Sequence, residues 1–155
     1  MAADNRQAGQ RARTFTALTL ADWGLGAFAE PVQLCVSELL GNCVKHARPD
    51  ACPARPHESQ QVRVALRLWP TWLVLEVSDG DPRPPVLPCT REPIPDLEEP
   101  EALWATSGRG LRIVRDLADG LWWRPREGGG KSVLARFATV GNSPRWAGRG
   151  CGSYR

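Results

Sequence analysis

A carboxylate, a carboxamide and an ammonium group fall within one predicted helix in the first third of the sequence. Glu38 and Asn42 are four residues apart, which places them one turn above each other on an α-helix, and Lys45 follows in the same segment. The remaining positions form an apolar stripe typical of a core-facing side: Val32, Val36, Leu39, Leu40, Cys43 and Ala47. Such a helix presents a base, a metal ligand and a phosphate partner together, which is the chemistry of a magnesium–nucleotide site. A solvated helix face has the same polar spacing, so this segment alone leaves both interpretations open.

A second carboxylate ends a predicted strand. Leu73, Leu75 and Val77 alternate with other residues, and Asp79 continues their parity. We therefore expect its carboxylate to point toward the core, where a buried charge needs a hydrogen-bond partner. A carboxylate at a strand end also caps turns, but the inward parity favours a pocket.

Two glycines precede a later predicted helix, in the run Gly108-Arg109-Gly110-Leu111. Glycine lets backbone N–H groups approach an anion closely, and the N-terminus of a helix favours negative charge. The run is therefore a candidate phosphate cradle. The Arg109 side chain either reaches the phosphate or is solvated.

The apolar periodicity predicts a definite order of elements: helix, helix, strand, strand, a long irregular segment, helix, strand, strand. The helices are expected at residues 11–20, 31–48 and 110–120, and the strands at 62–68, 73–79, 121–124 and 133–137. Residues 81–107 hold seven prolines and are expected to be a lid, a binding loop or disorder. The order predicts an α/β two-layer sandwich, with helices on one face of a mixed, largely antiparallel sheet.

Four motifs occur in a fixed order along the chain. They are Ser37-Glu38-Leu39-Leu40-Gly41-Asn42, Val77-Ser78-Asp79-Gly80-Asp81, Gly108-Arg109-Gly110-Leu111-Arg112-Ile113-Val114 and Gly130-Lys131-Ser132-Val133. This ordered set resembles the GHKL ATPase superfamily, which includes histidine kinases, type II topoisomerases and anti-sigma kinases. The local sequence looks most similar to actinobacterial anti-sigma-factor-type serine/threonine kinases. The resemblance covers roughly residues 12–138 and implies the Bergerat-type ATP-binding fold.

On the first motif, the resemblance assigns the phosphoryl-transfer roles. Glu38 would act as the general base or polarise the attacking hydroxyl, and Asn42 would ligate magnesium. Lys45 matches a basic position that meets a phosphate, with a solvated lysine as the alternative. His46 is expected to be structural, at the end of the helix.

On the other motifs, the resemblance assigns nucleotide binding. Asp79 would accept the exocyclic amine of adenine, and the Ser132 hydroxyl would help to hold the ring. The phosphates would be cradled under the lid by Gly108, Arg109, Gly110 and Leu111.

The sequence departs from the superfamily pattern in two places. Asp81 stands where the first glycine of a glycine box is usual, with Gly80 displaced by one. The strand that usually opens the domain is expected to be short or absent, which would leave a sheet edge open to pairing.

Other site types are disfavoured by spacing. Gly130-Lys131-Ser132 is not a P-loop, because Pro125 stands at the required glycine and the residues that follow alternate like a strand. The tryptophans in the predicted strands are typical of packing rather than of a nucleic-acid stacking surface. A histidine-kinase catalytic half is disfavoured because no dimerising hairpin with a phosphoacceptor histidine is evident. No standard zinc site matches the spacing of Cys43, His46, Cys52 and His57.

Composition indicates a single cytoplasmic domain. The chain has 155 residues, 42% of them apolar, enough for a core, and its net charge of +3 does not indicate nucleic-acid binding. No apolar run is long enough to span a membrane, and the N-terminus lacks the apolar region of a signal peptide. The five cysteines have no framework spacing and are expected to be free thiols.

These features predict a magnesium- and ATP-dependent serine/threonine kinase. Residues 12–138 would form the ATP-binding domain, between a flexible N-terminus (1–11) and a flexible C-terminal tail (139–155). By resemblance, its substrate would be a serine of an anti-anti-sigma (STAS-type) protein, and a sigma factor would be a further partner; the resembled kinases often dimerise. The alternative is an inactive module that binds ATP or sequesters a partner, and phosphotransfer separates the two.

Overall fold

A computed structural model of the chain describes residues 2–46, 61–88 and 109–140. The elements in chain order are α1 (Ala2–Asp22), a 3₁₀ turn (Gly26–Phe28), α2 (Ala29–His46), β1 (Arg63–Leu68), β2 (Trp72–Asp79), α3 (Arg109–Leu117), β3 (Gly120–Pro125) and β4 (Lys131–Ala138). The strands form one sheet in the order β1-β2-β4-β3, and each of these pairings is antiparallel. The α/β sandwich expected from the sequence is confirmed.

The two faces of the sheet follow from strand parity. Leu73, Leu75 and Val77 of β2 pair with apolar residues of β4, for example Leu75 with Ala135, and all of them are buried. Paired residues of antiparallel strands point to the same face, so these side chains form the inner face of the sheet. Helices α2 and α3 add to the same core through Val32, Cys35, Val36, Leu39, Leu111 and Val114. The alternate residues of the strands form the outer face.

Helix α1 is longer than the sequence predicted. We expected a helix over residues 11–20, but α1 begins at Ala2 and ends at Asp22. The added turns contain alanine, glutamine and arginine, which favour helix without forming an apolar stripe, so periodicity did not reveal them. Gly24, at φ 70°, stops the helix, and the N–H of Leu25 donates to the carbonyl of Leu20, as in a Schellman C-cap.

The two hairpins lie where the sequence placed them. Trp69 and Trp72 exchange backbone hydrogen bonds across the turn between β1 and β2. Between β3 and β4 the turn closes through Arg126 and Gly130. The expectation that the strand tryptophans pack is met only in part: Trp69 and Trp122 are exposed, while Trp72 lies under the Arg136 guanidinium, 4.2 Å from its ring centre.

Strands β1 and β3 are the outermost of the four strands, and within the described residues no strand precedes α1. None of the described helices has the length and apolar character that crossing a membrane requires.

Candidate functional site

The first turn of α3 packs against the polar pair of α2. A Cβ atom on Gly110 would lie 2.6 Å from Oε2 of Glu38 and 3.6 Å from Oδ1 of Asn42. Any side chain at Gly110 would therefore displace the Glu38 carboxylate. This carboxylate lies beside the N-terminus of α3, where the helix dipole favours negative charge.

Asn42 carries an unsatisfied group in this contact. Its Nδ2 is buried and has no hydrogen-bond partner among the described residues. A buried donor without a partner costs about 1–3 kcal/mol, so a ligand acceptor such as a phosphate oxygen would be stabilising here. Its Oδ1 is the type of oxygen that magnesium prefers.

A dedicated protein cage for a metal is not seen in the described part of the chain, where no three His, Cys, Asp or Glu side chains group around one point. Magnesium at a nucleotide site is usually held by one or two protein oxygens and by phosphates, so Asn42 fits that kind of binding.

Asp79 ends β2 with its side chain facing inward, as its parity predicted, and the residue is 8% exposed. Its Oδ1 accepts hydrogen bonds from Nζ of Lys131 at 3.0 Å and from the backbone N–H of Asp81 at 2.9 Å. The Cys43 thiol, one residue beyond Asn42 on α2, lies close to this carboxylate. The carboxylate is therefore held by two donors, one from β4 and one from the segment that follows β2.

The Cys43 thiol remains protonated in this environment. Burial, followed by the charge of Asp79, holds the pKa of Cys43 well above its ordinary value. The contact also places Asp79 next to the helix that carries Glu38 and Asn42. One region thus contains the polar pair of α2, the start of α3 and the end of β2.

Lys131 is the partner of Asp79 that sequence reasoning missed. It lies directly opposite Asp79 in the sheet, and its side chain is 8% exposed. Its Nζ also donates to the carbonyl oxygen of Asp81 at 3.1 Å. The signal was its parity, because Lys131 precedes Val133 by two residues and must share its inward direction.

Two contacts order the chain around Lys131, one through the backbone of Gly130 and one through the side chain of Asp81. A Cβ on Gly130, at φ +82°, would lie 2.0 Å from the carbonyl oxygen of Asp79, so the hairpin touches the strand end closely. Asp81 is the residue that stands in place of a glycine of the superfamily pattern, and its carboxylate forms an ion pair with Arg83. Hydrogen bonds from Arg83 hold the pKa of Asp81 well below its usual range, and the charge of Lys131 lowers it further.

Residues 1–137 match the family described as the histidine kinase-like ATPase domain. The chain belongs to this family. Among curated proteins, none matches the sequence. The match covers every described element except the last residue of β4, so Glu38, Asn42, Asp79 and Gly110 all lie within the histidine kinase-like ATPase domain.

Ser132 of this ATPase domain lies away from Asp79. It pairs with Ser78 on the outer face of the sheet, where their hydroxyl oxygens are 2.8 Å apart. Because side chains alternate along a strand, Ser132 points away from the inner face that carries Asp79. The structure therefore does not bring together the two residues expected to read adenine; Lys131 lies beside Asp79 instead.

The remaining predicted residues of the ATPase domain have different placements. Leu111 is buried in the core at the start of α3, so only its backbone can face a phosphate. Arg109 begins the helix with an exposed side chain. Gly108 and the lid beyond Pro88 lie outside the described residues, as does the side chain of Lys45.

Proposed function

We propose that this chain is a magnesium- and ATP-dependent serine/threonine kinase that resembles anti-sigma factors. The observation that carries the proposal is the contact of Gly110 with Glu38 and Asn42, which brings a carboxylate, a carboxamide and a helix N-terminus to one point. Phosphoryl transfer depends mainly on positioning and charge neutralisation, and these groups are suited to both.

In this proposal Glu38 accepts the proton of the attacking serine hydroxyl, and Asn42 would hold a magnesium ion through Oδ1. The ion would neutralise phosphate charge. The backbone N–H groups in the first turn of α3 have no partners within the helix and would donate to phosphate oxygens. Lys45 is proposed as a further phosphate contact.

The family supports ATP as the ligand, and the inward carboxylate of Asp79 is proposed to accept the exocyclic amine of adenine. The protein substrate is proposed to be an anti-anti-sigma protein, with a sigma factor as the competing partner of a cytoplasmic switch. A homodimer is part of the same proposal.

Thermal unfolding tests the nucleotide site. Magnesium-ATP at a hundred times its dissociation constant should stabilise the wild type by about 2.7 kcal/mol. For a chain of this size that corresponds to a rise in Tm of about 5–10 °C. Asp79→Asn should abolish the rise, and the exposed Asp116→Asn serves as the matched control. A wild type that does not shift contradicts the nucleotide site.

Phosphotransfer tests the kinase. With γ-labelled ATP and STAS-type proteins from the same genome as acceptors, Glu38→Gln should bind ATP but transfer at least about 100-fold more slowly, because a general base contributes that much. Glu30→Gln is the control, since Glu30 is exposed on the same helix. ATP binding by the wild type with no transfer to any acceptor would favour the alternative, a module that only sequesters its partner.

A further inference from the structure

We propose that Lys131 is a base-reading residue that donates a hydrogen bond to ring nitrogen N1 of adenine while Asp79 accepts from the exocyclic amine. The inference rests on the proposed function, because it assigns a specificity-determining residue to the same nucleotide site. It gives Lys131 the position beside Asp79 that the sequence had suggested for Ser132.

The ammonium group of Lys131 has one hydrogen that is not used in a hydrogen bond. A lysine ammonium group has three donors. Two of them are used, by Oδ1 of Asp79 at 3.0 Å and by the carbonyl oxygen of Asp81 at 3.1 Å. Oδ2 of Asp81 forms an ion pair with Nζ at 3.6 Å, which is longer than a hydrogen bond. A buried donor without an acceptor is destabilising, and a ligand acceptor would satisfy it.

Asp79 also has unused acceptor capacity. An ionised carboxylate has about four acceptor positions. The hydrogen bonds from Nζ of Lys131 and from the N–H of Asp81 both go to Oδ1. Oδ2 accepts neither of them, which leaves it for a ligand donor.

An acceptor next to a donor matches the Watson–Crick edge of adenine, where the amine lies beside the N1 acceptor. Guanine presents a carbonyl oxygen at the position of that amine and would place an acceptor against the carboxylate. With the base in this orientation, Asp79 disfavours the carbonyl oxygen of guanine, and the Lys131 donor favours the N1 acceptor of adenine over the N1–H of guanine.

The ammonium group of Lys131 is also held in place by its surroundings. Lys131 lies in β4, opposite Asp79, with its ammonium group held from the other side by the carbonyl of Asp81. Gly130 brings the hairpin against the end of β2, which fixes the backbone from which the Lys131 side chain extends. A donor fixed in this way discriminates more strongly than a mobile surface lysine, because little ordering is needed on binding.

The test measures the dissociation constants of magnesium complexes of ATP, 1-deaza-ATP and GTP by calorimetry. In 1-deaza-ATP a C–H group replaces N1. For the wild type we expect 1-deaza-ATP to bind about tenfold more weakly than ATP or worse, which is the usual effect of losing a hydrogen bond to a charged group. The Lys131→Met variant should bind ATP and 1-deaza-ATP equally tightly. The Arg126→Met variant, which is changed in the exposed turn, should behave as the wild type.

Each outcome either supports or overturns the assignment of Lys131 as a base-reading residue. Equal binding of ATP and 1-deaza-ATP to the wild type overturns the inference without any variant, so poor folding of Lys131→Met cannot hide a failure. An unchanged N1 effect in Lys131→Met, or GTP binding as tight as ATP binding, also overturns it and leaves the ATP site standing. No binding of ATP by the wild type overturns both the inference and the proposed function.

Discussion

Glu76 is a carboxylate on the outer face of the sheet that remains charged although it is only 5% exposed. It pairs with Arg67 and, at 3.0 Å, with Arg124, and it contacts Ser132. Burial alone would raise its pKa, but the hydrogen bonds from Arg124, Ser132 and Arg67 outweigh burial and lower the pKa to about 2. The Ser132 hydroxyl therefore helps to stabilise the charged carboxylate of Glu76 on the outer face of the sheet.

Glu76 should therefore make stability depend on pH in a defined window. Its pKa is lowered on folding from 4.5 to about 2, so the unfolded state takes up the proton first as the pH falls. Its contribution is complete above pH 4.5 and is lost as the pH falls toward 2. Because both arginines are about half exposed, we expect it to be worth about 2 kcal/mol at neutral pH, after screening.

Urea unfolding of the wild type and Glu76→Gln at several pH values measures this contribution. The difference in free energy of unfolding should be largest at pH 6 and should shrink steadily below pH 4.5. Glu127→Gln, in the exposed turn beside Arg124, should show no such trend. A difference that stays constant down to pH 2 would contradict the prediction.

At single residues, the sequence predicted which face of the sheet a side chain points to better than it predicted which residue the side chain pairs with. The inward direction of Asp79 followed from local alternation, because parity is set within one strand. Its partner Lys131 is 52 residues away, and only the register between β2 and β4 brings them together. Ser132 follows Lys131 in β4, so alternation along that strand places its side chain on the outer face. A position in a motif does not state which face a side chain points to, so the motif alone misplaced this residue.

Among the helices, the packing of α3 on α2 controls where the Glu38 carboxylate lies. Gly110→Ala would push a flexible carboxylate end aside, which costs little stability, since the other neighbours of the added Cβ lie at 3.5 Å or more. It should nevertheless slow phosphotransfer by about tenfold or more, because catalysis is sensitive to displacements of about 1 Å.

Gly41→Ala is the matched comparison, since an added Cβ at Gly41 of α2 meets nothing within 4 Å. It should raise stability by about 0.5–1 kcal/mol through helix propensity and leave transfer unchanged. Tm and transfer rate measured on both variants separate the two effects. An unimpaired Gly110→Ala enzyme would show that the position of the Glu38 carboxylate does not matter for the reaction.

The β3–β4 hairpin should be sensitive at one glycine and tolerant at another. Gly130→Ala combines a positive φ with a contact of 2.0 Å to the backbone of Asp79, so we expect a loss of about 3 kcal/mol or more. Gly128→Ala meets open space and should change stability by less than about 0.5 kcal/mol. Urea unfolding would measure both, and equal effects would refute the close approach of the hairpin to β2.

The elements themselves were largely predictable. The strands and helices α2 and α3 have clear periods of two or 3.6 residues because one side of each is buried, and their bounds agree with the prediction within a few residues. Helix α1 shows the limit of this approach. Its first turns have helix-forming composition but no apolar stripe, so a pattern search placed its start nine residues late.

At the scale of the whole molecule, the stable centre and the site share the same strands. β2 and β4 each have a strand on both sides, and the buried helices α2 and α3 pack on their inner face. Amide exchange should therefore be slowest at residues 74–77 and 133–135 and faster in the outermost strands β1 and β3. Mass-spectrometric exchange would test this order, and equal protection of all four strands would contradict it.

The pairing of Asp79 with Lys131 has an evolutionary consequence. The two residues bracket everything between β2 and β4, including α3 and β3, because they are opposite in the sheet yet 52 residues apart. Closing a longer connection costs only about 0.6 kcal/mol per doubling of its length. Insertions and deletions between Pro88 and Arg109 should therefore be cheap for the fold, and that segment can diversify in evolution without any change to the pairing of Asp79 with Lys131.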